Sequence, residues 1–401
     1  MNYTTQPISF KLKKAARYIR LYGVPRTLIK IQSQYHMKKT YERLPAIKTK
    51  TSERRHVGII GCGSFAFANI AYYLAKNYGK VIHAAMDLDI NRAASLFEKY
   101  DLNYYTDDPD KLIADPAIDL VFIASNHASH AEYAIKALEA GKSVHIEKPH
   151  AVTEDQLIRL CAAMSKSKGK VNLGFNRPGS RLGREIKRYL GEQSGAAMYN
   201  WFIAGHELEP DHWYFKEEEG GRVLGNLCHW TDFVYQMVPP ESRYPIEIIP
   251  TRAEKSDCDI AATYIFGDGS IAAITFSAKG HAFEGVKERF AAHRGNALIS
   301  LDDFKRLVVE VVDQKHVITV PFRDHGHQET IRKSYEMVRP SGNSFPGCDA
   351  SYVWGTGQLF LKTKEALDKN QTITLTAREQ TSAPWAPVGD YEPDRVNAVS
   401  V

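Results

Sequence analysis

From residue 56 to 175 the chain alternates short apolar runs with longer amphipathic stretches. The runs fall at residues 57–60, 81–86, 120–124, 144–146 and 171–173, and helical spacing fills the gaps near 65–78, 91–100, 128–140 and 153–167. Strand–helix alternation of this kind predicts a doubly wound parallel sheet. Asp115-Pro116 and Gly141-Lys142 punctuate the connections. Beyond residue 180 the rhythm changes. Helices are predicted at 181–190 and near 224–237. Strands follow at 246–251, 260–266, 270–278, 286–294, 297–301, 307–312 and 317–320, and helices return at 328–338 and 352–368. Gly267-Asp268-Gly269 between two alternating segments is a hairpin signal. The pattern reads as an α/β unit with an N-terminal Rossmann sheet, followed by an α+β unit with a large, mostly antiparallel sheet.

The two ends stand apart from this body. Residues 1–55 hold 14 Lys and Arg against two acids, Glu42 and Glu53, whereas the other 346 residues carry 38 basic and 45 acidic side chains. Phe10, Leu12, Ala15, Ala16, Ile19 and Tyr22 fall near helical spacing among those bases, so a basic amphipathic helix is expected, with a second near 27–37. The arm's expected role is packing on its own acidic body or on a sister subunit; peripheral contact of residues 1–50 with an anionic membrane is the alternative. Residues 382–401 are expected to form an extended tail. The organisation expected is thus 1–55 arm, 56–175 Rossmann domain, 176–381 substrate and oligomerisation domain, and 382–401 tail.

Composition narrows the function classes. Hydrophobic residues at 43% and charged residues at 25% are ordinary globular values and argue against a disordered or fibrous chain. No apolar run nears the roughly 18 residues of a membrane span. The basic surplus belongs to the arm, which removes the main support for a nucleic-acid partner. Five widely spaced cysteines without a CxxC pair point to a reducing, cytoplasmic setting.

Three segments carry chemistry. Gly61-Cys62-Gly63-Ser64-Phe65-Ala66 follows a strand and opens a helix, the context in which G-x-G-x-x-A cradles a pyrophosphate. Asp87, at the end of the second strand and 24 residues beyond Gly63, suits the ribose hydroxyls of NAD and repels a 2′-phosphate. Glu147-Lys148-Pro149 ends another strand and leaves Lys148 where open α/β sheets bind ligands. Gly220-Gly221 leads into a helix on which Asn226, His229 and Asp232 or Phe233 are expected on one face, with His229 as a candidate general base. His325-Gly326-His327 and Cys228-His229 invite a zinc reading, but no set of about three ligands at metal spacing accompanies them, and no metal is expected.

Taken in order, these motifs, with Ser125-Asn126-His127-Ala128-Ser129-His130-Ala131-Glu132 between them, resemble the Gfo/Idh/MocA oxidoreductase family. The segments 174–187 and 206–232 resemble a subgroup that includes the dehydrogenase halves of two-part enzymes from glycan and cyclitol gene clusters. The resemblance implies an NAD(H)-dependent oxidoreductase acting on a ring hydroxyl of a sugar, sugar nucleotide or cyclitol. It implies cofactor contacts at Gly61, Gly63, Ser64, Phe65, Asp87, Ser125, Asn126, His127, His130, Glu147 and Lys148. Lys148 and His229 take the catalytic places, and Asn176, Arg177, His212 and Asn226 are candidate substrate contacts. A homodimer or homotetramer through the second sheet is implied too. One departure stands out: many members have Asp four residues before the histidine, and here that position is Gly225. Two other readings fit the same motifs, namely transient NAD redox around an epimerisation or elimination, and a non-catalytic NAD-binding sensor.

Overall fold

The computed structural model describes residues 3–47, 54–251, 259–279, 283–339 and 345–376. The tail expected at 382–401 lies outside these residues.

Six strands form a parallel sheet: β1 (Val57–Ile60), β2 (Ile82–Met86), β3 (Tyr104–Thr106), β4 (Leu120–Ile123), β5 (Ser143–Ile146) and β6 (Val171–Leu173). Their order is β3-β2-β1-β4-β5-β6, which puts the reversal of strand order between β1 and β4. β1, β4, β5 and β6 are buried at every position, as expected of strands covered on both faces. Three of the helices between them start at side-chain caps: Asp89, Asp108 and Thr153 each accept from backbone amides of the first turn. β3 is absent from the expectation because Tyr104-Tyr105-Thr106 lies between Asn103 and Asp107-Asp108 without an aliphatic run.

Nine strands form the second sheet: β7 (Ala197–Ala204), β8 (Ile246–Thr251), β9 (Asp259–Ile265), β10 (Ile271–Ser277), β11 (Lys287–Arg294), β12 (Ala297–Asp302), β13 (Arg306–Val311), β14 (Gln314–Thr319) and β15 (Ile373–Leu375). The order is β14-β13-β12-β11-β7-β10-β9-β8-β15, antiparallel except for the parallel pair β7–β10. The expected hairpin joins β9 to β10, with Ile265 opposite Ile271. β7, at the centre of this sheet, was not anticipated. Ala197, Tyr199, Trp201 and Ile203 point inward, but outward Met198 and Phe202 are apolar too and hide the alternation.

The inner face of this sheet packs on helices Cys228–Met237 and Ala350–Lys369, with Trp201 5.0 Å from Phe233 and 4.7 Å from Phe290, centroid to centroid. Its outer face is left uncovered by the described residues, with Met198 62%, Phe202 49% and Leu298 50% exposed. Helix His327–Glu336 returns to the parallel sheet: Ile331 and Tyr335 join the core formed by Val57, Ile59 and Phe122.

One charge is buried in the inner face. Glu288 on β11 is fully buried in line with Phe290 and Ala292. It accepts from Arg177 Nη2 at 2.8 Å, Arg177 Nε at 3.2 Å and Trp230 Nε1 at 2.8 Å. Removing one partner of such a pair typically costs about 3–5 kcal/mol, because the other is left charged and dry. The pair ties the segment after β6 to the second sheet.

The N-terminal arm forms α1 (Ile8–Tyr22) and α2 (Val24–His36), and both lie on the chain's own body. Arg17 pairs with Glu284, Phe10 meets Phe283 edge-on, and the Arg323 amide donates to Leu21 O at 2.7 Å. Ile29 packs with Phe67 and Ala68. Of the two roles weighed for the arm, packing on its own body is the one observed here. No helix among the described residues is long and apolar enough to cross a membrane.

Candidate active site

The carboxyl ends of β1 and β4 meet so closely that only glycine fits between them. Gly61 has φ +86°, and a Cβ there would lie 2.4 Å from Ser125 N and 2.5 Å from the Ala124 carbonyl. Gly63 differs: a Cβ on it would meet nothing within 4 Å, so the turn faces open space. Asp87 stands beside it. Its Oδ2 accepts from Cys62 N at 2.7 Å and its Oδ1 from Asp89 N at 2.9 Å, leaving lone pairs on both oxygens for further donors. Ser64 turns its hydroxyl toward Ser33 of α2, 3.1 Å away, and Phe65 lies 5.5 Å from the ring of His327. The chain then makes a π-turn, Ala66–Ile70, before the helix Ala71–Tyr78, where one unbroken helix was expected.

Past β4, Ser125 Oγ bonds Ser129 Oγ at 2.6 Å. Asn126 Nδ2 donates to Glu219 Oε1 at 2.6 Å, Ala128 N donates to Glu219 Oε2 at 3.2 Å, and His127 Nδ1 bonds the Glu219 carbonyl at 2.9 Å. The Glu219 carboxylate thus caps helix His127–Glu139 from another part of the chain, where the helix dipole favours a negative charge. His127 stays neutral, its pKa driven down to about 2 by burial, then by Lys148 and His130.

Two residues expected at the cofactor face inward instead. His130 has both ring nitrogens on carbonyls, Pro149 O at 2.8 Å and Ser125 O at 3.2 Å. Glu147 is 3.1 Å from His145 Nε2, and a Cβ on Gly174 would lie 2.7 Å from its carboxylate. Both brace the turn that carries Lys148; buried polar groups take whatever partners the fold supplies.

Lys148 Nζ donates to Gly225 O at 2.8 Å. Burial opposes its charge, but Tyr214, Cys228 and Glu147 together more than offset that, and its pKa lies above the ordinary value. The Gly220-Gly221 segment enters a π-turn, Val223–Leu227, and then the helix Cys228–Met237. The extra residue of the π-turn alters the phase, and the expected shared face splits. Asp232 turns into the core, where Tyr352, Thr356 and Gln236 donate to it; burial raises its pKa to about 6. His229 stays near Lys148 and Arg177. Burial, then Arg177 and Lys148, hold its pKa well below the usual histidine value, so it is neutral. Its Nδ1, the Asn226 Oδ1 and the Asn176 Nδ2 are buried without partners. Arg177 is committed to Glu288, and its Nη1 donates to Asn176 Oδ1 at 2.9 Å. His212 accepts from Tyr214 N at 3.2 Å and lies beside the Trp213 and Tyr214 rings.

Sequence reasoning missed Glu219, Tyr214, Glu288 and the placement of His325 and His327. Glu219 hides in the acidic run 217–219, and Glu288 alternates with charged outward residues that mask its inward parity. His325 sits 3.4 Å from Glu288, and burial keeps both histidines neutral. Among the described residues, no group of three His, Cys, Asp or Glu is arranged to hold a metal. The Gly225 position has a physical explanation: a Cβ there would meet Tyr214 Cε2 at 2.6 Å and His127 Cε1 at 2.7 Å.

Residues 55–175 match the oxidoreductase family with an NAD-binding Rossmann fold, Gfo/Idh/MocA. That match spans the parallel-sheet domain. An uncharacterised Bacillus subtilis oxidoreductase, YrbE, is 26% identical over 80% of this chain and 97% of its own length. D-glucoside 3-dehydrogenase of Escherichia coli is 35% identical, over 30% of this chain and 34% of that protein. A levoglucosan dehydrogenase solved with NADH and levoglucosan shares the fold, with a TM-score of 0.68 and 18% identity over 80% of this chain and all of that one. The glycine turn fits the NAD of the matched fold: Gly63 leaves room over the turn, and Asp87 retains acceptor capacity.

The Gly225 contact gives a direct test. Gly225→Asp should push Tyr214 from its seat and lower stability by about 1–3 kcal/mol, the usual cost of overpacking. Tyr214→Ala in the same chain should recover part of the loss, the contact with His127 remaining, read as thermal melts of the double-mutant cycle. Additive losses would show that the two side chains do not compete for this space.

Proposed function

We propose that the protein is an NAD(H)-dependent dehydrogenase that oxidises a ring hydroxyl of a sugar, sugar nucleotide or cyclitol. The observation that carries this is the convergence of Lys148 and a neutral His229 with unpartnered Asn226 and Asn176 polar atoms. Several orphaned donors and acceptors in one place suit a ligand rich in hydroxyl groups. Relatives named D-glucoside 3-dehydrogenase and inositol 2-dehydrogenase support the same substrate class.

When bound, NAD supplies the hydride acceptor at carbon 4 of its nicotinamide. Asp87 accepts hydrogen bonds from the adenosine ribose hydroxyls, and the turn at Gly61–Ala66 presents backbone N–H groups to the pyrophosphate. Lys148 donates to the substrate oxygen and stabilises the alkoxide as it develops. His229 takes the hydroxyl proton on its imidazole. Burial first, and then the charges of Arg177 and Lys148, disfavour the imidazolium, so the ring readily gives that proton up again. Asn176, Asn226 and His212 orient the remaining hydroxyls, while Arg177, held by Glu288, acts on the electrostatics of His229.

The outward face of the nine-stranded sheet, with Met198, Phe202 and Leu298 exposed, packs in this reading against the same face of a second copy about a two-fold axis. Light scattering should give the mass of two or four chains, and a monodisperse monomer would rule this contact out.

Asp87 should discriminate between cofactors. One unfavourable contact of about 2–3 kcal/mol corresponds to roughly 30–150-fold in affinity. Calorimetry should therefore show NADH bound more tightly than NADPH by such a factor, and equal affinities would remove the role given to Asp87.

His229→Ala should lose about 10²–10⁴-fold in kcat and retain NADH binding. Because the folded-state pKa of His229 is depressed, the base form persists as pH falls. The acid limb of kcat/KM for oxidation should then lie below the ordinary histidine pKa, with NADH released stoichiometrically. Wild-type turnover in the alanine variant, or a limb at the ordinary value that His229→Ala does not move, would exclude His229 as the base.

A further inference from the structure

The N-terminal arm reaches into the glycine turn itself. His36, the last residue of α2, is 3% exposed. Its Nε2 lies 2.7 Å from the carbonyl oxygen of Cys62, and its Nδ1 lies 2.8 Å from Ser95 Oγ on helix Ile90–Tyr100. Its ring stacks on Phe67 with centroids 4.3 Å apart. One neutral tautomer serves both partners: Nε2–H donates to the Cys62 carbonyl, and Nδ1 accepts from the Ser95 hydroxyl.

The consequence follows from peptide geometry. The unit joining Cys62 to Gly63 is planar and trans, so its N–H points opposite to its C=O. A carbonyl held on the arm side turns the Gly63 N–H to the other side. The amide of Cys62 is fixed as well, by Asp87 Oδ2 at 2.7 Å. Residue 62 is therefore gripped at both backbone groups, once by the residue placed to read the ribose and once by the arm. Neighbouring contacts extend the grip. Ser64 bonds Ser33 at 3.1 Å, Arg26 donates to Asn69 Oδ1 at 2.6 Å and to the Ala68 carbonyl, and Tyr100 donates to Phe67 O at 2.6 Å. The carbonyls that the π-turn at Ala66–Ile70 presents are thus held by the arm and by the helix behind it.

We infer that His36 is a positioning residue for the dinucleotide: through the Cys62 carbonyl, the N-terminal arm aims the Gly63 amide at the pyrophosphate. This rests on the dinucleotide reading of the turn. It gives the arm a task inside its own subunit, beyond covering surface.

The test compares ligands that share adenosine and differ in phosphate. Wild type, His36→Phe and His36→Gln are titrated with NADH, ADP-ribose and adenosine, with thermal melts in parallel. Phe keeps the stacking on Phe67 and lacks the donor; Gln keeps an N–H donor. His36→Phe is expected to bind NADH and ADP-ribose about tenfold more weakly, the equivalent of one well-placed hydrogen bond. Adenosine should change less than about twofold on the same reasoning, and His36→Gln should recover most of the affinity. Unchanged ADP-ribose binding in a folded His36→Phe protein would overturn the inference. Parallel loss of adenosine, or unfolding of both variants, would also overturn it by showing that His36 serves only the fold. If wild type binds neither NADH nor ADP-ribose, the dinucleotide reading itself falls.

Discussion

The close approach of β1 and β4 at Gly61 is the constraint on which the rest depends. With a would-be Cβ 2.4 Å from Ser125 N, the two strand ends are in backbone contact. This contact puts the glycine turn, Asp87 and the Ser125–Asn126 segment around one crevice, at the point where the strand order reverses. Everything distant in sequence is then tied to that crevice by a few buried polar contacts. Glu219 reaches the amino end of helix His127–Glu139, Lys148 reaches the carbonyl of Gly225, and His36 reaches the carbonyl of Cys62.

The electrostatics of the site follow from where charges are paired. Glu288 pairs with Arg177 through Nε and Nη2 in the dry interior and accepts from Trp230 as well. Lys148 has a carbonyl and facing polar groups instead of a carboxylate ligand at 225, because the Tyr214 ring and His127 fill that place. Burial, reinforced by the charges of Arg177 and Lys148, keeps His229 neutral. A neutral imidazole and an ammonium in one desolvated cleft form an acid–base pair suited to moving a hydroxyl proton near neutral pH.

Much of this was legible in the chain before its structure. Runs such as VGII and LVFI are buried on both faces, so their composition alone announces parallel strands. G-x-G-x-x-A between a strand and a helix marked the turn at the end of β1, and Lys148 lies near enough to His229 for its charge to act on the imidazole. What escaped was whatever a period cannot show. AMYNWFIA is the central strand of the second sheet, yet its outward Met198 and Phe202 erase the alternation. A π-turn of one extra residue sent Asp232 into the core, away from His229. His130 and Glu147 sit within recognisable motifs, but both His130 nitrogens lie on the Pro149 and Ser125 carbonyls and Glu147 Oε1 lies on His145. Glu219, Glu288 and His36 act across 92, 111 and 26 residues of chain, a separation that no local pattern reports.

In the proposed function NAD lies across this crevice with its reactive ring at Lys148 and His229. A crystal structure with bound NADH addresses it most directly. The pyrophosphate should lie on the amides of the Gly61–Ala66 turn and the adenosine ribose on Asp87, with carbon 4 of the nicotinamide facing Lys148 Nζ and the His229 ring. A dinucleotide seated elsewhere, or one whose nicotinamide points away from both side chains, would contradict it.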